Sequence, residues 1–156
     1  MTPIPDFAEA AGLRGPLVTG LSDDVRQARQ GRVTDSSAGY ILPDGAVLSP
    51  DASRVSPARL ATVTPAQPQK FPPLCPDFVI EVKSPSDRIK PLQAKMEQWL
   101  RSDVRLGFLL DTETETAYLY RPGQLPEAVQ GFDAELSGEP VLTGFRLNLR
   151  ELRPQS

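Results

Sequence analysis

The segment that most constrains the fold is the run of residues 77–83, Asp-Phe-Val-Ile-Glu-Val-Lys. Its β-branched and aromatic side chains predict a strand. A Ser-Pro-Ser stop follows, and residues 87–102 carry apolar side chains at helical spacing, which predicts an amphipathic helix. A second apolar run, residues 106–110, has the length of a buried strand. This order of elements predicts an α/β or α+β domain with a mixed sheet and flanking helices.

Shorter elements are predicted around this unit. They are a helix at 22–31, a hairpin over 39–48, a helix at 57–63, and strands at 117–120, 141–142 and 145–147. The hairpin prediction rests on Asp44-Gly45, because this dipeptide supplies the positive φ angles of a tight turn. We see no internal repeat and no domain linker.

The 156 residues include no histidine and one cysteine, Cys75. These counts exclude Ser-His-Asp and Cys-His catalysis, His-ligated zinc, and a Cys-rich zinc or iron–sulfur site within this chain. Any enzymatic chemistry must therefore use carboxylates, lysines, hydroxyls and a hard metal such as Mg²⁺.

The sequence also favours a cytoplasmic protein. A single cysteine cannot form an intrachain disulfide, which suits a reducing compartment. No apolar run approaches the roughly 20 residues of a membrane span. The first residues, Met-Thr-Pro-Ile-Pro-Asp, lack the basic and apolar regions of a signal peptide.

One strand carries a candidate site. Alternate residues of a strand share a face, so Glu81 and Lys83 are expected side by side, with Cα atoms roughly 6–7 Å apart. A carboxylate beside an ammonium suits a metal-dependent hydrolase, and Asp51, after the hairpin, is the best second carboxylate. The plainer alternative is a surface ion pair on an open face of the sheet, which contributes little to stability.

A longer set of segments carries a resemblance to a known family. The segments are residues 35–40, 42–45, 49–53, 71–87, 92–96 and 120–123, which include Pro50-Asp51 and Glu81-Val82-Lys83. Together they resemble the Uma-type endonuclease family, formerly a domain of unknown function, in the PD-(D/E)xK restriction-endonuclease-like superfamily. The similarity covers roughly residues 31–152.

The resemblance implies a restriction-endonuclease-like mixed sheet with flanking helices and phosphodiester hydrolysis. It implies that Asp51 and Glu81 bind Mg²⁺ or Mn²⁺, with the Val82 carbonyl as a third oxygen. Many members lack a lysine at the position of Lys83 and keep one in the following helix, at the position of Lys95. Both lysines are therefore candidates, with Lys83 ranked slightly first. The alternative for Lys95 is a rim lysine whose stem lies along apolar surface.

The resemblance also implies two regions, a short and partly irregular N-terminal segment at 1–30 and the nuclease-like domain at 31–153. Family members have a longer segment before the Asp-Ser-Ser stretch, so an abbreviated N-terminal part is predicted. Glu9, Asp23 and Asp24 could replace an acidic residue from that segment, although solvated acids at a helix start are the simpler interpretation.

Other residues receive plainer interpretations. Cys75 is predicted to be a buried small hydrophobe, and Trp99 a core anchor of its helix rather than a base-stacking residue. Tyr118 and Tyr120 share a strand face and are expected to be exposed, which suits DNA contact or subunit packing equally. The acids of the turn at 111–115 are expected to be solvated.

Charge distribution weakly supports DNA binding. Residues 81–105 contain six basic and four acidic side chains, whereas residues 111–139 contain one basic and seven acidic side chains. A cationic rim around an acidic metal site is typical of a nuclease. The leading hypothesis is thus a metal-dependent DNA endonuclease with no membrane partner and no small-molecule cofactor. The alternative is a catalytically impaired nuclease-fold module that binds nucleic acid or a protein. The sequence is also compatible with a homodimer.

Overall fold

The predicted strand–helix–strand unit lies at the centre of the sheet in the computed structural model, which describes residues 31–36, 38–63 and 72–153. In chain order, the elements are β1 (Arg32–Asp35), β2 (Tyr40–Ile41), β3 (Val47–Leu48), β4 (Ala52–Val55), α1 (Pro57–Leu60), β5 (Phe78–Lys83), α2 (Ile89–Arg101), β6 (Leu106–Asp111), β7 (Thr116–Tyr120), β8 (Glu127–Gln130), β9 (Glu135–Ser137), β10 (Arg146–Asn148) and a 3₁₀-helix (Leu149–Leu152).

Six strands form the main sheet, in the order β1-β4-β5-β6-β7-β8. Strands β5 and β6 are parallel, and the other neighbouring pairs of this sheet are antiparallel. Parallel neighbours need a long crossover connection, and α2 provides it. The sheet is therefore mixed, as the sequence predicts. Two small antiparallel pairs, β2–β3 and β9–β10, lie outside it.

Alternation along the central strand separates two apolar layers. Phe78, Ile80 and Val82 pack with the C-terminal part of the chain, which supplies buried residues such as Phe145. Val79 packs on the opposite face, in a cluster that includes residues of α2 and the β2–β3 hairpin. Glu81 alternates with Val82 and therefore faces α2. The fold thus places a carboxylate within the layer between sheet and helix.

Helix α2 packs closely on the sheet. Pro91 is tolerated in its first turn, where backbone N–H groups have no intrahelical acceptor. Met96 and Trp99 are fully buried. Gly107 of β6 permits the close approach, since a Cβ there would lie 2.5 Å from the Met96 Cε atom. This packing holds the polar residues of the same helix face over β5.

Several predicted details are wrong. The expected strand at 141–142 is a turn, whereas β8 and β9 form strands that the sequence pattern did not predict. Tyr120, expected to be exposed, is buried, although Tyr118 is partly exposed. The helix predicted at 22–31 and the acids Glu9, Asp23 and Asp24 lie outside the described residues.

None of the helices in the described part of the chain has the length and apolar character needed to span a bilayer.

Candidate metal and catalytic site

Asp51 and Glu81 face each other across neighbouring strands. In the antiparallel β4–β5 ladder, Ala52 pairs with Ile80. Continuing that register by one position sets Asp51 opposite Glu81, where Cα atoms are typically about 4.5–5.5 Å apart. Both carboxylates lie on the α2 side of the sheet, and they are only 8% and 2% exposed. Two residues thirty positions apart in sequence therefore form one buried acidic pair.

Asp51 is fixed by the backbone of β5. Its Oδ2 atom accepts a hydrogen bond of 2.6 Å from the N–H of Val82. Because the N–H and C=O of one strand residue point to the same side, the Val82 carbonyl also points toward β4. The third oxygen implied by the resemblance therefore lies on the same side of β5 as Asp51.

The environment of Glu81 favours its neutral form. Burial is the main cause that raises the pKa of Glu81 to about 7; the charge of Asp51 acts in the same direction, and Lys95 and Trp99 act against it. A cation close to both carboxylates would favour their ionised forms. Strongly perturbed acids of this kind are common at functional sites.

The two candidate lysines have different partners. The Nζ atom of Lys95 lies 2.8 Å from Glu81 Oε2 and donates to the Ser49 carbonyl at 3.0 Å. Lys83 instead pairs with Glu113 at 2.5 Å, in the turn after β6. The lysine on the helix is thus in contact with the acidic pair, and the lysine ranked first from sequence is bound elsewhere.

Trp99 is a site residue that the sequence interpretation missed. It anchors α2 in the core as predicted, but its indole Nε1 also donates to Glu81 Oε2 at 3.0 Å. The available signal was its spacing from Lys95, because residues four apart lie on one helix face. Both side chains bind the same oxygen of Glu81.

The donor set fits a hard divalent cation. Across the described ranges, no three acidic, histidine or cysteine side chains are grouped as a ready-made metal cage. Mg²⁺ in nucleic-acid enzymes, however, needs only one or two carboxylates, with water and substrate completing its coordination. Among the contacts of the described residues, both hydrogen-bonding partners of Glu81 engage Oε2. The Oε1 atom accepts no hydrogen bond from the described residues.

Three other residues considered from the sequence have structural surroundings that explain them. Asp111, expected to be solvated, is buried and accepts hydrogen bonds from the backbone of Glu113 and Thr114, so it shapes the turn. Glu115, from the same turn, is bound by Arg153.

Burial raises the pKa of Cys75 to about 12, which keeps the thiol protonated and unreactive at neutral pH.

Comparisons with known proteins show the family and the fold of this chain. The family model "Uma2: Putative restriction endonuclease" matches residues 1–150. A solved structure of "a putative nuclease belonging to DUF820" from Anabaena variabilis ATCC 29413 is similar, with a TM-score of 0.81 and 19% identity. The alignment covers 97% of this chain and 82% of that chain. At this identity the likeness shows the fold, and it confirms the fold class predicted from sequence. A search of curated proteins found no match.

Proposed function

The chain belongs to the Uma2 family, and from this premise we propose that it is a divalent-metal-dependent endonuclease that hydrolyses phosphodiester bonds in DNA. The observation that carries the proposal is the buried pair of Asp51 and Glu81, set opposite each other on β4 and β5 with Lys95 in contact. Two buried acids beside an amine are poorly suited to a purely structural role, because burial of each charge is costly.

We assign the metal ligands to the carboxylates of Asp51 and Glu81 and to the Val82 carbonyl. All three are hard oxygen donors, as Mg²⁺ and Mn²⁺ prefer. When bound, such a cation supplies Lewis-acid stabilisation of the negative charge that develops on the phosphate. The protein contributes a site in which Asp51 is held by the Val82 N–H and Glu81 by two donors from α2.

We assign the catalytic lysine to Lys95. Its ammonium group has three protons, and the contacts with Glu81 and Ser49 use two of them. The third proton can be donated to a water molecule or a phosphate oxygen at the edge of the site. The side chain is 27% exposed, so its ammonium group is within reach of substrate. Its charge also offsets the negative charge of the acidic pair.

A plasmid-cleavage assay tests this function. The wild type should convert supercoiled DNA to nicked or linear forms in Mg²⁺ or Mn²⁺ and stop when EDTA is added. Asp51→Asn and Glu81→Gln keep the side-chain shapes and should slow cleavage on the order of 100-fold or more, because they remove charge needed for metal binding. Glu127→Gln removes one charge from an exposed position on β8 and should cleave like the wild type.

Equal cleavage by the wild type, Asp51→Asn and Glu81→Gln would refute the proposed site. A wild type that binds DNA in a gel-shift assay without cutting it in either metal would contradict the hydrolase. That result would favour the alternative from the sequence, a nuclease-fold binding module.

A further inference from the structure

Trp99 and Lys95 both contact the same carboxylate oxygen of Glu81, and neither contacts the other oxygen. The indole Nε1 donates to Oε2 at 3.0 Å, and the Lys95 ammonium lies 2.8 Å from the same atom. Within the described residues Oε1 has no hydrogen-bonding partner, although the side chain is only 2% exposed. The carboxylate is therefore held asymmetrically, with one oxygen bound by two donors.

The indole is itself held in place from the sheet. The Tyr40 ring contacts Trp99 edge-on, with ring centroids 6.3 Å apart and an interplanar angle of 77°. The Tyr40 hydroxyl lies 2.7 Å from Ser53 Oγ and 2.9 Å from Thr34 Oγ1. These hydrogen bonds connect the aromatic pair to β1 and β4. Strand β4 begins directly after Asp51. Rotation of the indole away from Glu81 would disturb packing on several elements.

Packing alone does not explain this arrangement. A buried indole N–H needs an acceptor, but a backbone carbonyl or a neutral side chain would satisfy it without burying a second charge. Here the acceptor is a carboxylate that is only 2% exposed and that the β4–β5 register sets opposite a second acid, Asp51. A costly acceptor held in one orientation is typical of groups that orient metal ligands.

We propose that Trp99 is a positioning residue of the metal site, which fixes the Glu81 carboxylate through Oε2 so that Oε1 serves as the coordinating oxygen. The inference rests on the proposed function, since it requires that Glu81 binds a divalent cation. Trp99 contacts neither substrate nor reacting atoms in this scheme and acts only through Glu81. Its contribution should therefore be measurable in metal affinity, without any substrate.

Calorimetric titration with Mn²⁺ tests the role directly. Trp99→Phe keeps an aromatic ring and loses the N–H, and we expect it to weaken Mn²⁺ binding about 10- to 100-fold. Met96→Leu is the matched control, since Met96 is equally buried on the same helix but packs against Gly107 of β6. It should bind Mn²⁺ like the wild type, even if its melting temperature falls.

A second substitution removes only the N–H group. Trp99 is the single tryptophan of the chain, so replacement of tryptophan by benzothienylalanine alters this site alone. That isostere carries sulfur in place of the indole N–H and preserves the ring shape. We expect it to fold like the wild type and to weaken Mn²⁺ binding as Trp99→Phe does. This measurement keeps the test decisive if Trp99→Phe is too unstable to titrate.

Trp99 emission provides an independent readout in the wild type. Mn²⁺ bound at Glu81 should quench or shift that emission with the midpoint found by calorimetry, and Glu81→Gln should lose the response. If the wild type binds Mn²⁺ and the benzothienylalanine protein binds it with the same affinity, the role of Trp99 is overturned and the proposed function stays intact. A wild type that binds neither Mn²⁺ nor Mg²⁺ would overturn both.

Discussion

Lys83 and Lys95 illustrate how partners decide the role of a residue. Lys83 is the last residue of β5 and Lys95 lies on α2, but it is Lys95 that contacts Glu81, whereas Lys83 is bound to Glu113 in the turn after β6. The Lys95 ammonium is paired with a carboxylate of the proposed metal site, whereas the Lys83 ammonium is paired with a carboxylate outside it. The amine that matters for cleavage should therefore be the one on α2.

Substitution of each lysine by methionine separates their roles, because methionine keeps most of the aliphatic stem. Lys95→Met should reduce single-turnover cleavage about 100-fold or more, within the usual range for loss of a proton-transfer or charge-stabilising group. Lys83→Met should stay within a few-fold of the wild type. Single-turnover rates with saturating enzyme measure both. The reverse order would show that Lys83 leaves Glu113 in the substrate complex.

The sequence predicted this site only in part. Strand alternation placed Glu81 and Lys83 on one face, the position after the hairpin suggested Asp51, and the family resemblance added Lys95 and the Val82 carbonyl. The partner of Lys83 could not be predicted, because Glu113 follows β6 and comes near only through the parallel β5–β6 pairing. Non-local contacts of this kind leave no periodic signal in the sequence. The roles of all these residues stay predictions until they are measured.

At the scale of elements, Arg59 joins α1 to the start of β5. Its Nε atom lies 3.2 Å from Asp77 Oδ2, and its guanidinium donates to the Cys75 and Pro76 carbonyls. Asp77 is 3% exposed and also accepts a hydrogen bond from the Ser56 N–H. One side chain therefore satisfies several buried acceptors next to the strand that carries Glu81.

Loss of Arg59 should strongly lower the free energy of unfolding. Arg59→Ala leaves Asp77 buried without its ionic partner and should lower the free energy of unfolding by about 3 kcal/mol. Arg146 is a matched control, because it also pairs with an acid, Glu135, but both side chains are more than half exposed. Arg146→Ala should cost less than about 1 kcal/mol. Urea unfolding at pH 7 measures both, and equal effects would contradict the role of Arg59.

The elements with long apolar runs were the predictable ones. β5, α2, β6 and β7 were predicted because each buries several apolar side chains at its own period. The edge strand β8 was missed because it is short, mostly exposed and only half apolar, so its pairing with β7 depends on the backbone. Val141 and Leu142 suggested a strand because they are apolar, but their burial comes from packing of a turn against the core.

At the scale of the molecule, the two faces of the sheet serve different purposes. The C-terminal elements cover one face with an apolar layer, whereas the α2 face combines apolar packing with the acidic pair near the ends of β4 and β5. The acidic pair is built into the same packing that holds α2 on the sheet. Metal binding and global stability should therefore be linked.

A ligand that binds only the folded state stabilises it by mass action. At a Mg²⁺ or Mn²⁺ concentration of about 100 times the dissociation constant, the gain is about 2.7 kcal/mol, which corresponds to a rise in Tm of about 5–10 °C for a chain of this size. Differential scanning calorimetry with and without the metal measures it.

Matched variants distinguish site binding from a general salt effect. Asp51→Asn and Glu81→Gln should lose most of the metal-induced rise in Tm, whereas Glu127→Gln, which changes net charge equally on exposed β8, should keep it. NaCl at equal ionic strength controls for screening of surface charge. A rise of the same size in all four proteins would mean that the cation acts through screening or another site, because only binding at the buried pair depends on these two carboxylates.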